Sequence, residues 1–204
     1  MTAPEAPSVP VSIPVAPGDE WMFEDTSGQS NGNPSGVDFW TLVREDVRAH
    51  DGDWTAPGFL AIFVHRCGNL RMDVRSRAMR VPLGVLYRIA ERCIRTAFGI
   101  ELPYSAKVGR NVGIHHQSGI VISGYVTIGD GCVIRQNVTI GIRRVGEIVG
   151  PVLGRNVDVG AGAVILGTIT IGDDVSIGAN AVVLDNVPDG AVAVGVPARI
   201  IPGR

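Results

Sequence analysis

Beyond Val108 the chain places an aliphatic residue at every sixth position. Leu153, Val159, Ile165, Ile171, Ile177 and Val183 form an unbroken series. Four residues after each stands a small or β-branched partner: Val157, Ala163, Ile169, Val175, Ala181 and Val187. An earlier block, Ile122, Ile128, Ile134 and Ile140 with Val126, Cys132 and Val138, carries the same rhythm; Val108 and Ile114 precede it two residues out of phase. An α-helix repeats at 3.6 residues and a simple strand at two, so neither alone yields a period of six. A short strand followed by a sharp turn does, if each leading aliphatic points inward. The pattern predicts a parallel β-helix built of hexapeptide repeats. Glycine after many of the inward residues (Gly109, Gly129, Gly154, Gly172) permits the turn and close backbone approach. The segment from Ile142 to Pro151 breaks the rhythm and is expected to loop out of the coil.

Residues 38–98 change to helical spacing. Phe39, Leu42, Val43 and Val47 share one face, Asp51-Gly52-Asp53 and Pro57-Gly58 interrupt, and FLAIFVHR and VPLGVLYRIAERCIRTAF give two further apolar stripes. Pro82 reads as a first-turn residue. Arg71, Arg75, Arg77, Arg80, Arg88, Arg92 and Arg95 read as solvated helix faces. Residues 1–36 are rich in Pro, Ser, Gly and Asn, cannot bury enough apolar area to offset their chain entropy, and read as a disordered tail. Within it, Trp21-Met22-Phe23 stands out as a docking motif or as stray hydrophobes. The division is thus a tail over 1–36, a helical domain over 37–100 and a mainly β domain over 101–204.

Composition narrows the function. The tail carries a charge of −5 and the remainder +3, with Lys107 as the only lysine, so any cationic contact is a guanidinium. The arginines follow helical periodicity without clustering, which argues against nucleic acid as a partner. Cys67, Cys93 and Cys132 have neither disulfide-framework nor zinc spacing. No run of 18 apolar residues and no basic leader region occur, so the chain reads as cytoplasmic with no membrane partner.

Five segments, GIELPYSAKVG, HHQSGIVI, QNVTIG, VGAGAVILG and the closing GVPARII, resemble the left-handed β-helix acyltransferases, and among them the serine acetyltransferases. REDVRAH and FLAIFVHR are similar to that family's N-terminal helices in shortened form, so the likeness covers roughly residues 39–201. It implies a three-sided, left-handed coil of about 18 residues per turn that trimerises along its axis. Two trimers can join through the helices. The acetyl-CoA groove would lie between subunits, with the loop over 142–151 covering a neighbour's site.

Acetyl transfer from a thioester to an alcohol needs a base near the hydroxyl and donors for the tetrahedral oxyanion. The resemblance puts His116 in the place of the catalytic histidine and Glu101 in that of the carboxylate that orients it. His115 stands where the family has an aspartate for the serine amine, and the family's Arg-His-Pro element reads Val149-Gly150-Pro151 here. Arg143 and Arg144 lie in the same loop, either as acceptor ligands or as surface charge, and the family's N-terminal acceptor aspartate maps loosely onto Asp51 or Asp53. Gly160, Ala161, Gly178 and Ala179 match the small residues beside pantetheine, and Arg199 a neighbour of the CoA phosphates. The adjacent His115-His116 pair also fits a metal site, but no third histidine lies in the β domain, so no metal is expected.

The sequence therefore predicts an acetyl-CoA-dependent O-acetyltransferase acting on serine or a related small alcohol. A sugar or polysaccharide precursor, or a natural-product intermediate, is an alternative acceptor; a β-helix scaffold without catalysis is a further one. Family members that dock into the sulfhydrylase use a flexible tail ending in isoleucine. Three residues beyond Ile201 span at most ~11 Å, so no sulfhydrylase complex is expected.

Overall fold

A computed structural model describes residues 30–144 and 146–203. Three helices come first: α1 (Phe39–Arg48), α2 (Pro57–Leu70) and α3 (Arg77–Phe98). Asp38 caps α1 by accepting from the Trp40 and Thr41 amides, and Pro57 opens α2 in its first turn. Helix α3 begins at Arg77, so Pro82 lies inside it and not in its first turn. Residues 75–83 are solvent-exposed, which leaves the carbonyl that Pro82 cannot serve open to water. Gly99, at φ 66°, stops α3 in the left-handed conformation and turns the chain into the first strand.

The remainder is a left-handed parallel β-helix with three faces. The first face stacks β1 (Ile100–Glu101), β4 (Ile120–Ile122), β7 (Thr139–Gly141), β10 (Val164–Leu166) and β13 (Val182–Val183). The second stacks β2 (Lys107–Val108), β5 (Thr127–Ile128), β8 (Val152–Leu153) and β11 (Thr170–Ile171). The third stacks β3 (Gly113–Ile114), β6 (Val133–Ile134), β9 (Asp158–Val159), β12 (Ser176–Ile177) and β14 (Val192–Val194), and β15 (Arg199–Ile201) returns antiparallel along β14. The hexad aliphatics Ile122, Ile128, Ile134, Ile140, Leu153, Val159, Ile165 and Ile171 are almost wholly buried in one core, joined by Ala61 and Ile62 of α2. Cys132 belongs to it, and burial pushes its thiol up to about 12.

Strand register locates the irregularities. Val121 pairs with Thr139, Val152 with Thr170 and Asp158 with Ser176, each eighteen residues on. Thr127 pairs with Val152, twenty-five on, so the expected loop after β7 adds seven residues.

The helices close the open end of the first coil, whose outer strand edges would otherwise expose unpaired backbone groups. Arg66, fully buried, donates through Nη1 to the Val108 carbonyl and through Nη2 to the Gly109 carbonyl, both at 2.6 Å. Its Nε and Nη2 hold the buried Asp46 carboxylate at 3.1 and 3.2 Å. The Tyr104 amide donates to the Tyr87 hydroxyl (3.0 Å), and the His65 Nδ1 meets the Pro103 carbonyl (3.1 Å). Gly58 lets α2 touch the coil: a methyl there would overlap the Ile114 carbonyl oxygen and lie 2.9 Å from His50 Nε2. We expect Gly58→Ala to cost about 1–3 kcal/mol by overpacking, measured as a lowered urea midpoint.

Residues 30–36 differ from the expected tail. The Gly32 amide donates to Asn69 Oδ1 (2.9 Å), Asn33 Nδ2 to the Arg66 carbonyl (3.1 Å) and Asn31 Nδ2 to Asp73 (2.7 Å). Amide hydrogen bonds, not apolar burial, fasten this stretch, which is why composition does not reveal it. The rest of the expected tail, residues 1–29 with Trp21-Met22-Phe23, lies outside the described residues.

Candidate functional site

Each passage from the third face to the first turns a corner, and these corners form one edge of the prism. The edge carries residues 115–119, 135–138, 160–163 and 178–181, and residues 195–198 follow as the turn between β14 and its antiparallel return β15. Its rungs are joined by backbone bonds: the Asn137 amide to the Ser118 carbonyl (2.9 Å), Gly162 to Gln136 (2.9 Å) and Asn180 to Ala161 (2.8 Å). The structure therefore aligns His116, Ala161 and Ala179 on a single edge. Adjacent strands lie about 4.8 Å apart, so two rungs separate His116 from Ala161 by about 10 Å and three separate it from Ala179 by about 14 Å. Arg199 pairs with Val194 at the far end of the same edge.

The first of these corners is irregular. Gly113 pairs with Val133 and Ile100 with Ile120, twenty residues on, so two extra residues fall after β3. They take up unusual backbone angles, with φ of 59° at His116, 101° at Ser118 and 67° at Gly119. Ordinary turns of the coil hold Asn or Asp at similar φ (Asn111, Asn137, Asn156, Asp174 and Asn180), so this corner differs in placing a histidine and a serine there. The turn presents the His116 imidazole to solvent, and among the described residues the ring has no hydrogen-bond partner.

His115 lies on the inner flank of this corner. Its amide donates to the Ile134 carbonyl (2.9 Å), and its ring folds over Gly113, where a Cβ would stand 2.8 Å from His115 Nε2. The His50 ring lies 5.9 Å away. His50 is buried; its Nδ1 meets the Asp46 carbonyl at 2.6 Å and its Nε2 accepts the Ile114 amide at 3.0 Å. It thus fixes β3 immediately before the two histidines, a role no sequence pattern announces. Asp51 follows His50 on this flank at φ 57°. Asp53 is committed to its own turn, accepting from the Thr55 amide (2.8 Å) and hydroxyl (2.6 Å), bonds that hold its carboxyl below the usual range.

Glu101 leaves β1 close to this corner: Ile100 pairs with Ile120, and the Gly99 backbone packs against Ser118 and Gly119. Its carboxylate is held by Arg95, with Nη1 at 3.4 Å, and not by the histidine. Arg143 and Arg144 sit at a different edge, between the first and second faces. They line a groove of about 460 Å³ with Glu147, Gly167, Thr168 and Asp185. Glu147 accepts the Arg143 amide at 2.9 Å. A whole face separates this groove from His116 within one subunit.

The small residues fit an extended thioester arm lying along the edge. Gly160 and Gly178 are required by packing, since a methyl would come 2.6 Å from the Ala179 nitrogen and 2.7 Å from Val194 Cγ1 respectively. Ala161 and Ala179 keep the outer surface free of bulk. One rung beyond His116, Gln136 buries its amide oxygen Oε1 with no partner among the described residues. No three His, Cys, Asp or Glu side chains among the described residues come together as metal ligands. No helix among them is long and apolar enough to cross a membrane.

Two histidines set a pH limit on stability. Burial lowers His50, and burial with the Arg66 charge brings His65 down to about 3. Both are neutral when folded and bind protons more readily once unfolded near 6.5. Their contribution is full above pH 6.5 and declines as pH falls from there toward the folded values, by at most about 1.4 kcal/mol per pH unit for each. Denaturant midpoints measured from pH 7 to 4 should fall, and His65→Gln should flatten that slope.

The bacterial transferase hexapeptide family (six repeats) matches residues 150–185. Acetyltransferase WcaB of Escherichia coli (strain K12), named for colanic acid biosynthesis, is 38% identical over 161 residues, 76% of this chain and 96% of that protein. A serine acetyltransferase of Synechococcus elongatus is 37% identical over 171 residues, 81% of this chain and 66% of that protein. Among solved structures, serine acetyltransferase from Brucella abortus in complex with coenzyme A superposes with a TM-score of 0.68 at 27% identity, covering 80% of this chain and 68% of that one. Soybean serine acetyltransferase complexed with serine gives 0.67 at 30% identity, covering 79% and 68%.

Proposed function

The chain belongs to the hexapeptide-repeat acetyltransferases related to the serine acetyltransferases and WcaB, and on that premise we propose that it transfers acetyl from acetyl-CoA to a sugar hydroxyl of a polysaccharide precursor. The observation that carries the catalytic part is the shared edge, which puts the free His116 imidazole in line with Ala161 and Ala179. His116 removes the proton from the acceptor hydroxyl as its oxygen attacks the thioester carbonyl. The tetrahedral intermediate then collapses, the C–S bond breaks, and the imidazolium returns the proton to the departing thiolate. Gln136, one rung beyond His116, offers a side-chain N–H for the developing oxyanion. Ala161 and Ala179 receive the pantetheine arm, and Arg199 the phosphates at its far end.

The acceptor assignment rests on the flank of the corner. An imidazole, His115, stands where a carboxylate would meet an amino group, and Val149-Gly150 precede Pro151 in the loop. An imidazole in place of that carboxylate suits a hydroxylated acceptor without an ammonium group, in keeping with the near full-length match to a protein named for polysaccharide synthesis. Serine is the second reading, favoured by the Arg143–Arg144 groove, whose guanidinium groups suit a carboxylate. Because that groove and His116 lie on different edges, it would serve a neighbouring subunit's site, which a trimer provides. Release of free CoA with a panel of nucleotide sugars, oligosaccharides and serine decides the matter. Turnover on sugars and not on serine supports the proposal; serine as best acceptor overturns it.

A further inference from the structure

Helix α3 turns an apolar strip toward solvent. Met79, Val85, Leu86 and Ile89 are all exposed, Leu86 at 63%. Beside it, α2 and α3 enclose an apolar groove of about 490 Å³ lined by Phe63, Cys67, Leu70, Val74, Leu83 and Leu86. A second hollow of about 620 Å³ adjoins it, sharing Arg71 and Tyr87 and adding Arg80 and Arg88. Arg71 stacks on the Tyr104 ring, 4.3 Å from its centroid, and on that of Tyr87 at 5.0 Å. The acids of this face are engaged elsewhere: Asp73 by Asn31, and Glu91 by Arg95. An apolar trough flanked by cations calls for an occupant with large apolar side chains between acids.

The chain contains one such segment. Residues 19–25 read Asp-Glu-Trp-Met-Phe-Glu-Asp, three large apolar side chains with two acids on either side, in a stretch that has no basic residue. Its attachment point is at the groove. Asn31 and Gly32 are bonded to Asp73 and Asn69, next to the lining residues Leu70, Arg71 and Val74. Phe23 lies seven positions before Ser30, a reach of at most about 24 Å. We propose that segment 19–25 docks onto its own α2–α3 groove, with Trp21 and Phe23 in the apolar trough and the flanking carboxylates against Arg71, Arg80 and Arg88.

Tryptophan fluorescence of the full chain tests this directly. Trp40 and Trp54 are 62% and 70% exposed, so replacing both with phenylalanine leaves Trp21 as the sole reporter at little structural cost. Emission blue-shifted from that of the urea-unfolded chain, with acrylamide quenching weakened several-fold, is expected. Leu86→Asp, and independently Arg80→Glu with Arg88→Glu on exposed side chains, should release the indole. Glu20→Arg with Glu24→Arg should restore protection in the arginine variant. An indole as exposed as in the unfolded chain would overturn the proposal, as would protection indifferent to both sets of substitutions. Loss of assembly mass by light scattering in Leu86→Asp, with Trp21 emission unchanged, would assign the face to a second copy instead.

Discussion

His116→Ala is expected to lower the acetyl-transfer rate by roughly 100-fold or more, the usual consequence of losing a general base. The expectation is selective. His116 sits on an irregular corner with its ring in solvent, so its removal breaks no packing or hydrogen bond. The rungs of Ala161 and Ala179 lie two and three coils away and keep their backbone ladder. Coenzyme A affinity, measured by calorimetry, should therefore stay within a few-fold of the parent while turnover collapses. A rate within a few-fold of the parent would remove His116 from the mechanism.

The largest stability effect belongs to Arg66. Removing one partner of a buried ion pair leaves the other charge without compensation, at a cost of about 3–5 kcal/mol. Arg66→Ala leaves Asp46 in that position and also strips the Val108 and Gly109 carbonyls of their donors. The joint variant Asp46→Leu, Arg66→Met tests the second part. Buried pairs replaced together by apolar residues are often neutral, but here the two edge carbonyls remain unserved. The joint variant should recover some of the lost stability and not all of it. Full recovery in urea titrations would mean that the bonds to β2 contribute nothing.

The two readings of the helical region fared differently for a physical reason. The spacing of Phe39, Leu42, Val43 and Val47 marked α1 because an amphipathic surface helix writes its buried face into the sequence. Helix α2 is enclosed on most sides, burying Phe59, Ala61 and Ile62 together with His65, Arg66 and Asn69. Polar residues in so apolar a helix were a signal that they face partners and not water, yet nothing in the sequence names those partners. Arg71 read as a solvated charge and instead stacks on two tyrosines, because Tyr104 comes from the first coil.

The site divides along the same line. The motif singled out His116, and the shift of phase before Ile122 corresponds to the two extra residues that the strand register locates after β3. Glu101 was legible as a carboxylate near the corner, but its pairing with Arg95 depends on how the end of α3 meets β1. The Arg143–Arg144 loop was legible as an insertion; its place on another edge follows only from the winding of the coil.

By itself, the sequence determined the hexapeptide β-helix, the loop that interrupts it over 142–151 and the two-residue shift of phase before Ile122. A six-residue period is local, and its repetition over many hexads makes each coil restate the same inward choice. Tertiary structure alone decided how the first coil is sealed and which groups share an edge. Those outcomes rest on single pairings across long stretches of chain, such as Arg66 with Val108 and His50 with Ile114. Each is made once and leaves no period; it exists because the unpaired strand edge of the first coil must find donors and acceptors when the helices fold over it.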